Sequence, residues 1–340
     1  MDRELDLALL EKLTQLNGVS GYEKEVRREI EKIAAPLCDE MMTDAIGNLI
    51  CRINGSGSRK KKIMLAAHMD EIGVQVIKIN EDGTLMVKSM GTSWIYTSFQ
   101  ARVQFRSGLI GVIDARVYPD QLQNKFTNLY VDIGVAAKEE AEKYVHVGDV
   151  ACFVGPYAPL AGGFVVSKAV DDRIGCFMQL EVMKALKGQP VRNDLYFVFT
   201  VQEEVGCRGS IVSAERIAPD IGIAVDVTPD HGRPGDLEGS NQCGGGTAIK
   251  ISDTSVICDE DLVAKMIAIA EEEGIKYQRD VIYVGGTDAS SMNMARYGAR
   301  ACAVSVCTRY THGTNCIFNE DDVKGSVDLL TRFVNEEFDF

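Results

Sequence analysis

Two histidines and a surplus of carboxylates are spaced along most of this chain: His68-Met69-Asp70-Glu71, Asp171-Asp172, Glu203-Glu204, Asp226 and His312. Imidazole nitrogens and carboxylate oxygens are the donors that divalent ions such as Zn²⁺ or Co²⁺ take. Water is a poor nucleophile at neutral pH; one ion lowers its pKa while a second polarises a carbonyl. Two such ions sit about 3.5–4 Å apart, so a shared carboxylate and separate outer ligands are needed. The residues offer that set. An adjacent glutamate pair also allows a division of labour, one ligating and the other taking a proton from water. The set is therefore that of a two-metal hydrolase.

Each member also has a plainer reading. Asp171-Asp172 opens a helical pattern, where aspartate is favoured as a cap. His68 with Asp70 suits a surface turn, Asp226 ends a strand, and His312 suits a structural histidine. Glu203-Glu204 suits a solvated turn before Cys207-Arg208-Gly209. Against that, adjacent carboxylates at the end of an apolar run repel, and burying them without cations is costly. In an extended segment His68 and Asp70 point the same way. Asp70 is then placed to bond the far nitrogen of His68 and fix its orientation.

Most of these residues end hydrophobic runs. Residues 48–53 and 62–67 read as strands, the second stopping at His68. Asp194–Val201 is a nearly continuous apolar run, the pattern of a strand covered on both faces. Ile221–Val225 is another, ending at Asp226. Residues 281–284 and 301–306 also read as strands. Helical spacing marks 4–16, 22–35, the segment after Asp172, 259–273 and 320–335. Gly285-Gly286-Thr287-Asp288-Ala289 opens a further helix, with Thr287 or Asp288 as a cap or Asp288 near a substrate's amino end. Lys250 and Arg309 could attract carboxylates.

Residues 73–163 differ in texture. Short alternating segments are punctuated by Gly, Asn and Asp, with one clear helical stretch at 138–144, as in a small barrel or sandwich. The expected fold is α/β, a mixed central sheet flanked by helices, with an inserted small β-barrel or PDZ-like domain. The expected division is 1–72 with 164–340 for the chemistry and 73–163 for the insert.

The net charge of −14 argues against nucleic-acid binding, which needs clustered Lys and Arg. The one basic run, Arg59–Lys62, suits a solvated turn. Ten cysteines show no CxxC spacing, so buried free thiols in a reducing compartment are expected. The charged first residues lack a signal-peptide core, and no membrane span is read. The expectation is a cytoplasmic protein.

The joint order of these motifs resembles the M42 family of metallo-aminopeptidases, the glutamyl aminopeptidase or tetrahedral aminopeptidase group sometimes labelled endoglucanase. The similar segments are Gly18–Glu23, Asp44 with Gly47–Leu49, Ala67–Gly73, Lys168–Arg173, Gln202–Gly206, Asp226–Thr228, Gly285–Ala289, and Thr308–Tyr310 with His312. Leu129–Gly134 and Val147–Asp149 match within the insert. The resemblance implies that Asp171 bridges two divalent ions. His68 and Asp226 would complete one site, Glu204 and His312 the other. Glu203 would be the general base on a metal-bridging water, and Asp70 would support His68. Relatives often carry a cis peptide after the bridging aspartate, which makes Asp171-Asp172 a candidate. The implied activity is release of amino-terminal residues from short peptides. The implied assembly is a dimer building block in a tetrahedral dodecamer, made through the insert. Cys307, Gly313, Asn241–Thr247 and Ser93–Ile95 depart from the usual pattern, which bears on specificity rather than on the ligands.

Three rivals differ in chemistry. A glucanase would need facing carboxyls about 5–9.5 Å apart across a sugar. A metal-dependent deacylase or carboxypeptidase would not require a free amino terminus. A non-catalytic assembly subunit would show loss of Glu203 or a ligand, and none is lost.

Overall fold

The continuous apolar runs become the middle of a sheet. The computed structural model describes residues 4–93, 95–117, 126–232 and 238–340. The first three strands are β1 (Glu40–Thr43), β2 (Leu49–Ile53) and β3 (Lys62–His68). In β3, Ile63 through His68 are all buried, as expected for a strand covered on both faces. Beyond the barrel described below come β10 (Ala158–Pro159), β11 (Phe164–Ser167), β12 (Asp194–Thr200), β13 (Ile221–Pro229), β14 (Thr247–Ser252), β15 (Tyr277–Val281), β16 (Arg300–Thr308) and β17 (Cys316–Asn319).

Among the described residues, eight strands form the main sheet in the order β1-β2-β12-β3-β13-β16-β14-β15. Strands β12, β3, β13 and β16 run parallel to one another at its centre. β2 joins β12 antiparallel, and β14 joins β16 antiparallel. His68, Asp226 and the turns after β12 and β16 therefore share one end of the sheet, the carboxyl end of its parallel strands. That end is where open α/β sheets form their crevices.

Helices flank this sheet. They are α1 (Leu7–Gln15) and α2 (Lys24–Ala34), then α3 (Ile95–Ser98) and α4 (Lys138–Ala141) beside the barrel. The rest are α5 (Val170–Leu186), α6 (Arg208–Ile217), α7 (Glu260–Glu273), α8 (Ala289–Met294) and α9 (Glu320–Phe333). α5 is buried along most of its length, against β3, β13, α1 and α9. Asp6 and Asp259 cap α1 and α7, accepting from Leu9 and Leu262 N–H groups.

The remaining strands are β4 (Gly73–Ile79), β5 (Leu85–Met90), β6 (Arg102–Phe105), β7 (Ile110–Ala115), β8 (Leu129–Asp132) and β9 (Val150–Phe153). They close into a barrel, β4-β5-β8-β7-β6-β9, around its own apolar cluster that includes Val74, Leu85, Val103, Phe105 and Val131. Closure pairs every strand edge. A mixed flanked sheet and a small barrel are the expected fold.

Several details differ from the sequence reading. The strand expected at 281–284 lies instead at Tyr277–Val281, while Tyr283 and Val284 are exposed. Its one buried residue is Asp280, paired at 2.7 Å with the fully buried Lys250 of β14, so hydropathy pointed to the wrong segment. That pair also corrects the idea that Lys250 attracts substrate carboxylates. The helix read at 138–144 ends at Ala141, and α3, β1 and β14 carried no clear signal. Trp94 lies outside the described residues.

Candidate active site

Asp171 stands between the two histidines and offers one oxygen to each. His68 Nε2 lies 3.0 Å from its Oδ1, and His312 Nε2 lies 3.1 Å from its Oδ2. His68 comes from the end of β3, His312 from the turn after β16, and Asp171 from the first turn of α5. The Asp171-Asp172 peptide is cis, as the resemblance implied. Glu204 Oε1 lies 3.7 Å from His312 Nε2, and Glu203 Oε2 lies 3.9 Å from His68 Nε2. Donor atoms of His68, Asp171 and Glu204 gather within 4.8 Å of one another, as do those of His68, Asp172 and Asp226. The structure thus brings together His68, Asp171, Glu203, Glu204, Asp226 and His312.

Asp70 lies beneath this group. His68 Nδ1 is 3.0 Å from the Asp70 carbonyl oxygen and 3.5 Å from its Oδ1, which leaves Nε2 facing Asp171. Asp70 also accepts the Glu203 and Glu204 N–H groups at 3.0 and 3.2 Å and the Ser20 hydroxyl at 2.6 Å. It therefore fixes His68 and the glutamate pair together.

The electrostatics are those of crowded, buried acid. Burial, followed by the neighbouring Asp171 charge, pushes Asp226 up to about 8. Burial, despite the opposing pull of His312, pushes Glu204 up to about 7. Burial also holds Glu203 and Asp172 well above the ordinary carboxylate range. Asp171 goes the other way. Burial works against its charge, but the bonds from His312 and His68 outweigh it and hold the carboxyl low. Burial alone would lower His312, yet the Glu204 charge and the bond to Asp171 raise it to about 10.

These residues fit a bound cation. Glu204 Oε1 is buried without a hydrogen-bond partner, the kind of orphaned acceptor a metal satisfies. Two histidines with several buried carboxylates are also a donor set for divalent ions of the zinc type.

Other neighbours take supporting roles that the sequence does not assign. Asp172 accepts the His68 N–H at 3.1 Å and the Gly175 N–H at 3.0 Å, tying the start of α5 to the end of β3. Arg173 is fully buried. It donates to the carbonyls of Met69 and Leu13 at 2.7 Å, to Gly18 O at 3.3 Å and to Glu71 at 3.2 Å. Lys168 pairs with the same Glu71 at 2.7 Å. Cys207 donates its thiol to Glu203 Oε1 at 3.1 Å. Opposite charges in Ala67–Gly73 and Lys168–Arg173 were the available hint for the first network.

Asp288 accepts the Thr200 hydroxyl at 2.7 Å and the Ser210 hydroxyl at 2.5 Å, and its side chain makes no helix-cap bond. Each of its oxygens thus accepts one hydroxyl beside Glu203. Arg309 pairs with Asp230 at 3.0 Å and stacks over Phe164.

Fold and site together define a class: a hydrolytic enzyme built on a mixed α/β sheet whose strand ends carry side chains able to hold metal. The comparisons with known proteins narrow it. The family described as M42 glutamyl aminopeptidase matches residues 47–329. A putative aminopeptidase of Acetivibrio thermocellus is 40% identical over 98% of this chain and 100% of its own length. The structure of the aminopeptidase APDkam598 from Desulfurococcus kamchatkensis superposes with a TM-score of 0.91 at 34% identity, covering 97% of this chain and 94% of its own. The Pyrococcus horikoshii TET1 peptidase, described as able to assemble into a tetrahedron or a large octahedral shell, gives 0.84 at 32% identity over 97% of this chain and 99% of its own. This chain belongs to the M42 family and is a hydrolytic aminopeptidase.

Proposed function

We propose that this protein is a two-metal aminopeptidase that removes amino-terminal residues from short peptides. The observation that carries the reading is Asp171, with one oxygen turned to each histidine. In this reading His68, Asp171, Glu204, Asp226 and His312 would hold two divalent ions, Zn²⁺ or Co²⁺, with His68 and Asp226 serving one, Glu204 and His312 the other, and Asp171 both. Bound ions of this kind polarise a scissile carbonyl and ease deprotonation of water.

The chain's own residues supply the proton transfers. Glu203 is held by its N–H on Asp70 and by Cys207 at Oε1, with Oε2 turned toward His68. It takes a proton from the attacking water and returns it to the leaving amine. Asp70 keeps the His68 ring oriented, with Nε2 directed into the site.

We further propose that residues 1–72 with 164–340 form the catalytic unit and that 73–163 are an inserted unit for dimerisation and assembly into a tetrahedral dodecamer. The separate barrel cluster and the shell-forming relative support this. Eight of the ten cysteines are buried, which suits a cytoplasmic setting.

The test of the chemistry is Glu203→Gln. Turnover is expected to fall by about 10²–10⁴-fold with bound metal near the wild-type level. Full activity in that variant removes the general-base assignment.

A further inference from the structure

Four consecutive backbone N–H groups, where the chain leaves β12, meet acceptors on side chains. Val201 N–H donates to Asn48 Oδ1 at 3.0 Å, and Gln202 N–H to Glu23 Oε1 at 3.1 Å. Glu203 and Glu204 N–H groups go to the two oxygens of Asp70. Gln202 has φ 57°, in the left-handed region that a residue with a side chain enters only where its surroundings hold it. The direction taken by Glu203 and Glu204 follows directly from that bend.

Glu23 stands on a fixed support. It is 4% exposed, and its Oε1 also takes the Gly21 N–H at 2.7 Å. Gly21 has φ 85°, which turns the segment toward Glu23. Residues 18–20 are fastened to the His68 loop. Gly18 N–H donates to Glu71 Oε1, Glu71 N–H to Gly18 O, and Ser20 Oγ to Asp70 Oδ2. Burial, and then the Asp70 charge, push Glu23 up to about 7, and a glutamine in its place keeps the shape and an accepting oxygen.

We propose that Glu23 is a positioning residue for hydrolysis. By accepting the Gln202 N–H at the left-handed bend, it sets where the Glu203 and Glu204 carboxylates stand. The inference rests on the reading of Glu203 as proton acceptor and Glu204 as ligand. Glu23 meets this turn at the Gln202 N–H.

The experiment compares Glu23→Ala, Glu23→Gln and Glu203→Gln, each loaded with Zn²⁺, on a free-amine aminoacyl anilide, with rates normalised to bound metal. Glu23→Ala is expected to lower kcat by about 10–100-fold, with KM changed by less than about threefold. It is also expected to weaken Zn²⁺ binding about tenfold, read by competition with a chromophoric chelator. Glu23→Gln keeps the accepting oxygen and should restore kcat to within about threefold of wild type. Where circular dichroism shows the alanine variant unfolded, Glu23→Asp takes its place, since its carboxylate stops one methylene short; the same loss is expected. Wild-type kcat and Zn²⁺ affinity in Glu23→Ala or Glu23→Asp, beside an inactive Glu203→Gln, overturns the proposal. So does a Glu23→Gln variant as impaired as the alanine one. Full turnover in Glu203→Gln would instead overturn the underlying reading.

Discussion

Asp171 is the residue on which the site's charge balance turns. Its neighbours Glu204 and Asp226 resist ionisation, while it stays ionised between two imidazoles. Glu204 is raised from 4.5 to about 7, Asp226 from 3.8 to about 8, and His312 from 6.5 to about 10. Each of these raised values means that the folded, metal-free chain holds more protons than the unfolded chain between the two pKa values. Stability therefore falls as pH rises through these windows. For His312, the stabilisation is complete below 6.5 and lost as pH approaches 10. The chelated protein is expected to melt at a lower temperature at alkaline than at mildly acidic pH. Zinc loading should reverse that slope, because ligands must shed protons to bind. A chelated protein whose melting temperature rises with pH would contradict this. Asp171→Asn removes the charge between the two histidines, and a loss of metal affinity or activity of at least about a hundredfold, the upper end for an outer-shell partner, is expected. Metal analysis with a rate assay checks it. The residues gathered at the strand ends were legible in the sequence as a candidate set, because histidine with clustered carboxylates is a distinctive combination. Lys250 was not, because a buried ion pair and a surface lysine look alike until Asp280 is placed beside it. Glu23 was illegible in role because it acts through a backbone N–H.

At the scale of elements, the site depends on joining β3, the start of α5 and the segment after α1. Arg173 makes that joint, reaching Leu13, Gly18, Met69 and Glu71 from one guanidinium. Arg173→Met should cost about 3 kcal/mol, because carbonyls and part of the Glu71 charge are left buried without a donor. A urea unfolding midpoint equal to wild type would refute that role. The central strands β3, β12, β13 and β16 were readable, since burial on both faces leaves unbroken apolar runs. The edge strands were harder. β1 is exposed throughout, and β15 buries an aspartate, so neither shows an apolar pattern. The barrel strands were visible as alternation, but their closure depends on pairings such as β4 with β9, which are remote in sequence.

For the whole molecule, the barrel keeps a core of its own, separate from that of the mixed sheet. Among the described residues no helix is long and apolar enough to cross a membrane. The proposed assembly predicts a light-scattering mass of about twelve times the 37.2 kDa chain, and a monomer at micromolar concentration would contradict it. Metal-dependent release of a free amino-terminal residue is the activity on which the proposed function rests. The direct measurement is hydrolysis of aminoacyl-p-nitroanilides and their N-acetylated counterparts by the chelated protein, before and after Zn²⁺ or Co²⁺ is added. Cleavage that metal restores, on the free-amine substrates alone, is the predicted result. Equal cleavage of the blocked substrates, or undiminished cleavage after complete chelation, would contradict it.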